Sequence, residues 1–344
     1  MITKAFACIN LNSQERTRSS SGGIYPLLAH EIINQNGVVF AACYNDKLEV
    51  VHETIVDEQG LVASQGSKYV CSHLGDTFTE LSNYVKSGRR VLFVGTPCQC
   101  AGLITFLSEK HISRDKVIVV DFVCHGIPGR RAWDGYKKSM KAVGQELTAI
   151  NMRDKSSGWS NGNYSWKEAF ADGRERITPR REVIYMKGML SNLYLRPSCF
   201  ECSFKGVERE TDFTLGDYWG IGNHLPDMDD DKGTSLLLVH TEAGLKLFES
   251  IRDHIRFADA NIKKAIEGNA CIVKSTGRND KRNEFYRRLN DGEDFVALVT
   301  DLTNPSFMGR AKRMVKSRLN KLAKSLGGGI SNTYTLNTSI EVAA

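Results

Sequence analysis

The sequence predicts an α/β fold in which a mixed, partly parallel sheet is flanked by helices and carries a β-rich insertion. Two consecutive stretches each run from an apolar strand through a short loop into a helix, namely RRVLFVGTPCQCAGLITFLSEK and KVIVVDFVCHGIPGRRAWDGYKKSMKAVG. Consecutive strand–loop–helix units place their strands parallel in one sheet. From about residue 150 to about 190, short alternating stretches and turn residues predict the β-rich insertion.

The remaining elements follow from periodicity and turn residues. Ahead of the two units, the polar loop RTRSSSGG leads into IYPLLAHEIINQ, which has helical spacing. Two neighbouring strands are predicted next, GVVFAACY and LEVVHETIV. They are followed by a second polar loop, SQGSKYVCS, and by a helix that stops at glycine, LGDTFTELSNYVKSG. Beyond the insertion, TDFTLGDYWGI predicts a strand that ends in a loop, and TSLLLVH with TEAGLKLFESIRDHI predicts another strand and helix.

Composition excludes several classes of protein. The 344 residues, of which 41% are hydrophobic, suffice for one large or two medium domains with cores. The net charge of +6 is mild, and basic residues are not interleaved with aromatic ones, so we expect no binding to nucleic acid. The segment before Gly23 lacks the apolar region of a signal peptide, and no run of eighteen apolar residues occurs, so a cytoplasmic protein is expected.

Cysteine is the residue type that carries most information. The nine cysteines are Cys8, Cys43, Cys71, Cys98, Cys100, Cys124, Cys199, Cys202 and Cys271. An odd number in a chain without a signal peptide argues against a disulfide framework and favours metal ligands or redox thiols where cysteines cluster. Lone cysteines are usually small core residues, and we expect this of Cys43, Cys71 and Cys271.

Four of the cysteines can form one site. Cys98 and Cys124 each follow a predicted parallel strand, at the edge where open α/β sheets bind ligands, so they can converge across 26 positions. Cys199 and Cys202 form a single Cys-x-x-Cys, which alone fits half a zinc site, a redox dithiol or chance. Together the four would make a thiolate site from three segments, and such a site suits zinc and a cubane iron–sulfur cluster equally well.

Six motifs occur in the order found in a known family. They are SSSGG, GSKYV, FVGTPCQCAGL, DFVCHGIPG, MRDKSSGW and RPSCFECSFK followed by TDFTLGDYWGI. From about residue 16 to about 255, the chain thereby resembles the coenzyme F-420 hydrogenase/dehydrogenase beta-subunit family. Its members are flavoproteins with a 4Fe-4S cluster that pass electrons between FAD, clusters and a soluble acceptor, and similar proteins occur in bacterial polysaccharide-biosynthesis loci. The resemblance implies an oxidoreductase that depends on FAD and a 4Fe-4S cluster.

The resemblance also implies the cluster ligands. Cys98, Cys124, Cys199 and Cys202 match the cysteines of the motifs, and Cys100 is the rival of Cys98 because only one residue separates the two. His125 follows the proposed ligand Cys124. We expect a structural role for it rather than a hydrogen bond to the cluster or a proton transfer. No catalytic acid, base or nucleophile is predicted, because a flavin supplies the chemistry itself.

The SSSGG motif is the first part of the implied FAD site. Ser20 and Ser21 offer hydroxyl groups, and Gly22 and Gly23 allow close approach of the backbone. The predicted helix that follows would point free N–H groups at a diphosphate. Without the resemblance, an ordinary helix cap would be the better interpretation of such a loop.

The other implied FAD contacts come from four further motifs. They are Ser67, Lys68, Tyr69, Gly95, Thr96, Pro97, Arg153, Lys155 and Asp217. In this set a lysine can hold a phosphate, a tyrosine can stack on a ring, and the aspartate can bind a ribityl or ribose hydroxyl. For the two cations of MRDK and the aspartate of GDYWG, an ordinary turn accounts for the sequence equally well.

One difference from the family bears on the electron donor that we expect. Many bacterial members begin with a ferredoxin-like domain, whereas only Cys8 precedes SSSGG here. We therefore expect either a separate ferredoxin-like electron donor or a copy that has lost part of the relay. The small-molecule acceptor can be a deazaflavin, a nicotinamide or an activated sugar, although no G-x-G-x-x-G motif supports tight nicotinamide binding.

The last part of the chain is expected to lie outside the oxidoreductase domain. Residues 1–305 are predicted as the flavin and iron–sulfur oxidoreductase domain, and 306–344 as a basic amphipathic helix and a disordered tail. Seven Lys/Arg residues from Arg310 to Lys324 fit a solvated helix, a peripheral contact with a membrane, or a partner contact. The alternative function is a zinc-stapled structural or partner-docking protein of a glycan assembly complex, with the same four cysteines around zinc.

Overall fold

The computed structural model describes residues 3–304, apart from the side chain of Asn161. The strands are β1 (Lys4–Asn10), β2 (Val38–Tyr44), β3 (Val50–Ile55), β4 (Val91–Gly95), β5 (Val117–Phe122), β6 (Leu147–Asp154), β7 (Ser165–Phe170), β8 (Glu175–Pro179), β9 (Phe213–Asp217), β10 (Ser235–Val239) and β11 (Ile255–Asp259). The helices are α1 (Ser13–Arg18), α2 (Ile24–Ile33), α3 (Glu58–Ser64), α4 (Thr77–Lys86), α5 (Pro97–Glu109), α6 (Arg130–Ala142), α7 (Ile184–Leu190), α8 (Glu242–Ser250), α9 (Ile262–Gly268), α10 (Arg282–Asn290) and α11 (Phe295–Thr303).

Eight strands form the main sheet, in the order β11-β1-β10-β9-β5-β4-β2-β3. The central strands β2, β4, β5 and β9 run parallel, and the pairs on either side of them are antiparallel. A separate antiparallel sheet, β6-β7-β8, lies in the stretch where the β-rich insertion was predicted. The predicted fold class, a mixed and partly parallel sheet with flanking helices and a β-rich insertion, is therefore confirmed.

Helices cover both faces of the central strands. Along β2, Val39 packs in one buried cluster with Leu28 of α2, and the next residue, Phe40, packs in another with Leu81 of α4 and Leu103 of α5. Successive strand residues point to opposite faces, so a strand covered on both sides reads as a continuous apolar run. This explains why the central strands were predicted correctly from their apolar runs.

The first strand and the end of the chain stand apart from the predicted core. The first strand, β1, was not predicted, although it lies inside the sheet between β10 and β11. The predicted basic helix and tail, 306–344, lie outside the described residues, so the domain boundary at 305 stays a prediction. Between residues 3 and 304, no helix combines the length and the apolar character needed to cross a membrane.

The buried His240, which follows β10, makes stability depend on pH. Its Nε2 lies 2.9 Å from Thr214 Oγ1, and the side chain is 1% exposed. Burial, assisted by the charge of Arg209, lowers its pKa to about 4. An unfolded histidine titrates near pH 6.5, so between that pH and about 4 the unfolded state binds a proton that the folded state does not. The free energy of unfolding should therefore fall as the pH drops through this window.

Urea titrations at several pH values between 7 and 4.5 would test this expectation. The fall should be shallower in His240→Gln than in the unmodified protein, by up to about 1.4 kcal/mol per pH unit for one full proton. His254→Gln, at an exposed position, serves as the matched control. Parallel curves for the unmodified protein and His240→Gln would show that this histidine is not the cause.

Candidate functional site

The turn between β4 and α5 determines where the first candidate ligand lies. Thr96 caps α5, since its hydroxyl accepts from the N–H of Gln99 and its own N–H donates to the Gln99 side chain at 3.0 Å. Pro97 occupies the first helical position, where its fixed φ suits the helix. Cys98 is thereby held in the first turn, exposed, with its sulfur 3.1 Å from Thr96 Oγ1.

One cleft at the carboxyl edge of the parallel strands is lined by all four predicted ligands. Cys98 begins α5, Cys124 follows β5, and Cys199 and Cys202 lie in the loop after α7. The N–H of Ile127 donates to Cys199 Sγ at 3.4 Å, which ties the segment after β5 to that loop. The structure thus brings together four thiols from three segments far apart in sequence.

Cys100, the rival of Cys98, has a different environment. Its side chain is fully buried in the cluster formed by α4, α5 and one face of the sheet, and its thiol donates to the carbonyl of Val120 at 3.4 Å. Residues two apart on a helix point in different directions. Cys98 therefore faces the cleft, and Cys100 faces the core.

The spacing of the cleft sulfurs can be compared with that of a zinc tetrahedron. A zinc ion bonds thiolate sulfur at about 2.3 Å, so a tetrahedral site separates its sulfurs by only about 3.8 Å. Within residues 3–304, no three of the four cleft sulfurs lie within 4.8 Å of one another. The arrangement is wider than a zinc tetrahedron.

Burial favours the protonated thiol at two of the cleft cysteines, Cys124 and Cys199. Burial raises the pKa of Cys124 to about 12, although the nearby charge of Lys205 opposes this shift. Burial also raises the pKa of Cys199, against the effect of the hydrogen bond from Ile127. Lys205 donates to the carbonyl of Cys124 and, at 2.8 Å, to that of Cys271, which fixes the backbone beside the cleft. Metal binding here must release protons and weaken at low pH.

Four residues of the predicted FAD set line this same cleft: Lys68, Gly95, Thr96 and Pro97. Lys68 Nζ donates to carbonyls at the end of α3, those of Ser64 at 2.8 Å and Gln65 at 3.0 Å. Burial lowers its pKa to about 8. Its charge lies at the negative end of the α3 dipole, which stabilises a cation there.

A second group of predicted residues surrounds a buried ion pair, which we call the arginine network: Ser20, Ser67, Tyr69, Arg153 and Asp217. The Arg153 guanidinium makes two hydrogen bonds to Asp217, at 2.8 and 2.9 Å, and its side chain is 3% exposed. It also donates to the carbonyl of Ser20 at 2.8 Å and to the Tyr69 hydroxyl at 3.1 Å. The N–H of Ser67 donates to Ser20 Oγ at 2.7 Å. The network joins four segments that are distant in sequence: the SSSGG loop, the loop after α3, and the ends of β6 and β9.

The rest of the SSSGG motif packs against β1 and β10. A Cβ on Gly22 would lie 2.2 Å from the carbonyl oxygen of Cys8, so only glycine fits there. Gly23 has φ +82° and begins α2 without a side-chain cap, which leaves N–H groups of that helix available. Lys155 donates to the carbonyl of Ser21 at 2.8 Å. Burial lowers the pKa of Lys155 to about 7.

The alternative of ordinary turns does not hold for the cations of MRDK or for Asp217. Arg153 and Lys155 are engaged in hydrogen bonds across the fold rather than solvated. Asp217 accepts from Arg153 and also from Trp159 Nε1 at 2.9 Å, so it joins separate segments instead of ordering its own turn.

Two donors next to this region have no partner within the described part of the chain. They are Gln65 Nε2 and Arg153 Nε, and both atoms are buried. Gln65 accepts from Arg18 at 3.3 Å and Arg153 contacts Ser20, so both residues border the SSSGG loop. A buried donor without an acceptor costs about 1–3 kcal/mol. This fits a cofactor with phosphate or hydroxyl oxygens at the loop.

Several residues of the site were not found from the sequence. Cys71, expected to be a packing residue, lines the cleft, with the Arg196 guanidinium 3.8 Å from its sulfur. The buried pair of Asp121 and Arg209, 2.8 Å apart, supports the end of β5 next to Cys124. An acid inside the apolar run VIVVDF could have signalled this pair, because a buried carboxylate needs a partner.

Comparisons with known proteins agree with this architecture. The family model for the C terminus of the coenzyme F420 hydrogenase/dehydrogenase beta subunit matches residues 88–264, a segment that contains all four cleft cysteines. A chain of the xenon-derivatised F420-reducing [NiFe] hydrogenase complex from Methanosarcina barkeri has a similar fold, with a TM-score of 0.52 and 15% identity over 84% of this chain and 93% of that one. No curated protein matches significantly. The family model matches more than half of the residues of this chain, which therefore belongs to the coenzyme F420 hydrogenase/dehydrogenase beta-subunit family.

Proposed function

We propose that the protein is a flavin- and iron–sulfur-dependent oxidoreductase that passes electrons between a ferredoxin-like donor, a 4Fe-4S cluster, FAD and a soluble acceptor. The observation that carries the proposal is the single cleft lined by four thiols from three segments, at the ligand-binding edge of the parallel strands. Family membership supports an oxidoreductase role in general. Polysaccharide biosynthesis is the cellular setting that we propose for this activity, from the resemblance alone.

Cys98, Cys124, Cys199 and Cys202 would hold the cluster. Groups next to them would tune it, because hydrogen bonds to cluster sulfurs and local charge set the reduction potential. The Ile127 N–H already donates to Cys199 Sγ. The Lys205 ammonium adds positive charge beside Cys124.

FAD would be held by the SSSGG loop, the uncapped start of α2 and the arginine network. When bound, FAD supplies hydride and single-electron transfer, which no side chain of the protein provides. Arg153 and Asp217 keep the surrounding loops in place, and Lys155 contributes a cation near Ser21. The segment from Ser67 to Cys71 joins both parts of the site, since its residues contact the arginine network and line the cleft.

Partner proteins belong to the proposal as well. The similar structure is that of a hydrogenase complex, which is an assembly of subunits. We propose by analogy that this chain receives electrons from another protein, with a separate ferredoxin-like donor as the simplest case.

Anaerobic purification followed by assays of iron, sulfide, zinc and flavin tests the function. We expect a coloured protein with about four irons and one flavin per chain, as a 4Fe-4S flavoprotein requires. The visible spectrum should bleach on reduction. A colourless protein with one zinc per chain would contradict the proposal and favour the zinc-stapled structural function.

A further inference from the structure

We propose that the surface beside the Cys199–Cys202 loop is the docking site for a small acidic electron-carrier protein. The surface, called the docking rim, consists of Arg196, Phe204, Val273, Lys274 and Arg278. This inference rests on the proposed function, because an electron carrier is useful only where a cluster or flavin can accept its electrons. It adds a location and a charge type for the partner.

The docking rim is built from two segments that are joined next to the cleft. The N–H of Gly206 donates to the carbonyl of Ile272 at 2.8 Å, and the N–H of Cys202 donates to Ser275 Oγ at 3.0 Å. These bonds place the chain around residues 272–278 directly against the loop that carries two proposed ligands. A protein bound on this rim would therefore lie close to the cysteine cleft.

Apolar side chains are exposed at this rim. Phe204, which also lines the cleft, is 40% exposed, and Val273 is 42% exposed. Exposed apolar residues are ordinary when scattered singly. Here two of them belong to segments that are hydrogen-bonded to each other and border the proposed cluster site. Apolar contacts surrounded by charge are typical of a protein interface.

Charge complementarity indicates an acidic partner. Arg196 and Lys274 are exposed, and neither has a carboxylate within ion-pair distance among residues 3–304. Arg278 lies 2.5 Å from Glu201, an acid of the adjacent Cys199–Cys202 loop, and forms an ion pair with it. Apart from that pair, the rim has two cations without a carboxylate partner among residues 3–304, and Glu208, Glu210 and Asp280 are exposed acids further along its two segments.

Such a surface suits a transient complex. Weak electron-transfer complexes bury less than about 1,200 Å², so a small rim is sufficient. Unpaired surface cations speed the approach of an oppositely charged protein and set its orientation, and salt screens this effect. Cys202 is only partly buried, so the proposed cluster would lie close to a partner on this side.

The test is a double charge reversal, Lys274→Glu with Arg278→Glu, at two rim residues that do not line the cleft. Its matched control is Lys246→Glu with Arg256→Glu, on α8 and on the edge strand β11, four strands away from β5. Binding of a purified small acidic ferredoxin would be titrated at low and high salt. We expect the rim variant to bind at least about tenfold more weakly at low salt, and the control to bind within about twofold of the unmodified protein.

A second measurement separates failure of the rim from failure of the proposed function. Reduction of the protein by methyl viologen radical needs no docking, so it should be equal in all three proteins. If viologen reduces none of them, the proposed function fails, and the binding titration still reports on the rim. Equal ferredoxin binding by the rim variant and the unmodified protein, or no salt-dependent binding at all, would overturn the docking inference.

Discussion

Replacing Cys124 with serine is expected to reduce the iron content of the anaerobically purified protein from about four atoms per chain to below one. Cys124 lines the same cleft as Cys98 of α5 and the Cys-x-x-Cys loop, and we propose it as a ligand. Clusters of this type are held by four thiolates, and a hydroxyl group is a poor substitute. The same loss is expected for Cys199→Ser. Iron and sulfide assays, together with the visible spectrum, measure the effect.

The neighbouring cysteines provide matched controls. Cys71→Ser should keep its iron although Cys71 lines the same cleft, because the four proposed ligands would complete the donor set without it. Cys98→Ala should lose iron, whereas Cys100→Ala should keep iron and lose stability instead, since Cys100 is buried in the core. Full iron content in Cys124→Ser, or iron loss in Cys100→Ala rather than Cys98→Ala, would contradict the proposed ligand set.

Replacing Asp217, the carboxylate of the arginine network, is expected to lower the free energy of unfolding more than the other substitutions proposed for this protein. Asp217→Ala leaves the Arg153 guanidinium buried, with its charge uncompensated, and also removes the acceptor of Trp159 Nε1. Breaking a buried ion pair by removing one partner typically costs about 3–5 kcal/mol. We expect the free energy of unfolding, measured by urea titration of the cofactor-free protein, to fall by roughly this amount.

Two further variants test the cause of that loss. The double variant Arg153→Met with Asp217→Leu removes both charges and should recover much of the stability, because no buried charge is left unpaired. Glu267→Ala breaks an exposed pair with Lys264 and should change the free energy of unfolding by less than about 1 kcal/mol. A loss below about 1 kcal/mol in Asp217→Ala would show that the pair is not the main support of these loops.

The parallel core of the sheet and the edge that binds ligands were predictable from local sequence. Apolar runs that end at Gly95 and Phe122, each followed by a loop and a helix, identify β4 and β5 without knowledge of any distant contact. Since carboxyl ends of parallel strands share one edge, the approach of Cys98 and Cys124 followed from the same pattern. The ordered motifs then indicated the family before any structural comparison.

Contacts between distant segments decided the rest. β1 was missed because its apolar run does not specify its neighbours, which lie more than 200 residues away in β10 and β11. That Cys98 lines the cleft while Cys100 is buried in the core depended on which side of α5 packs against the sheet. The position of Cys71 in the cleft and the ion pair of Arg153 with Asp217 depend on contacts between segments that are far apart in sequence.

By itself, the sequence determined which residue types are available, which segments form strands and helices, and which family the chain resembles. These properties depend on local periodicity, turn chemistry and motif order. The tertiary structure alone decided which thiols share a cleft and which charges are buried in pairs. Burial and pairing arise when segments far apart in sequence exclude water from one another, and no local pattern specifies that outcome.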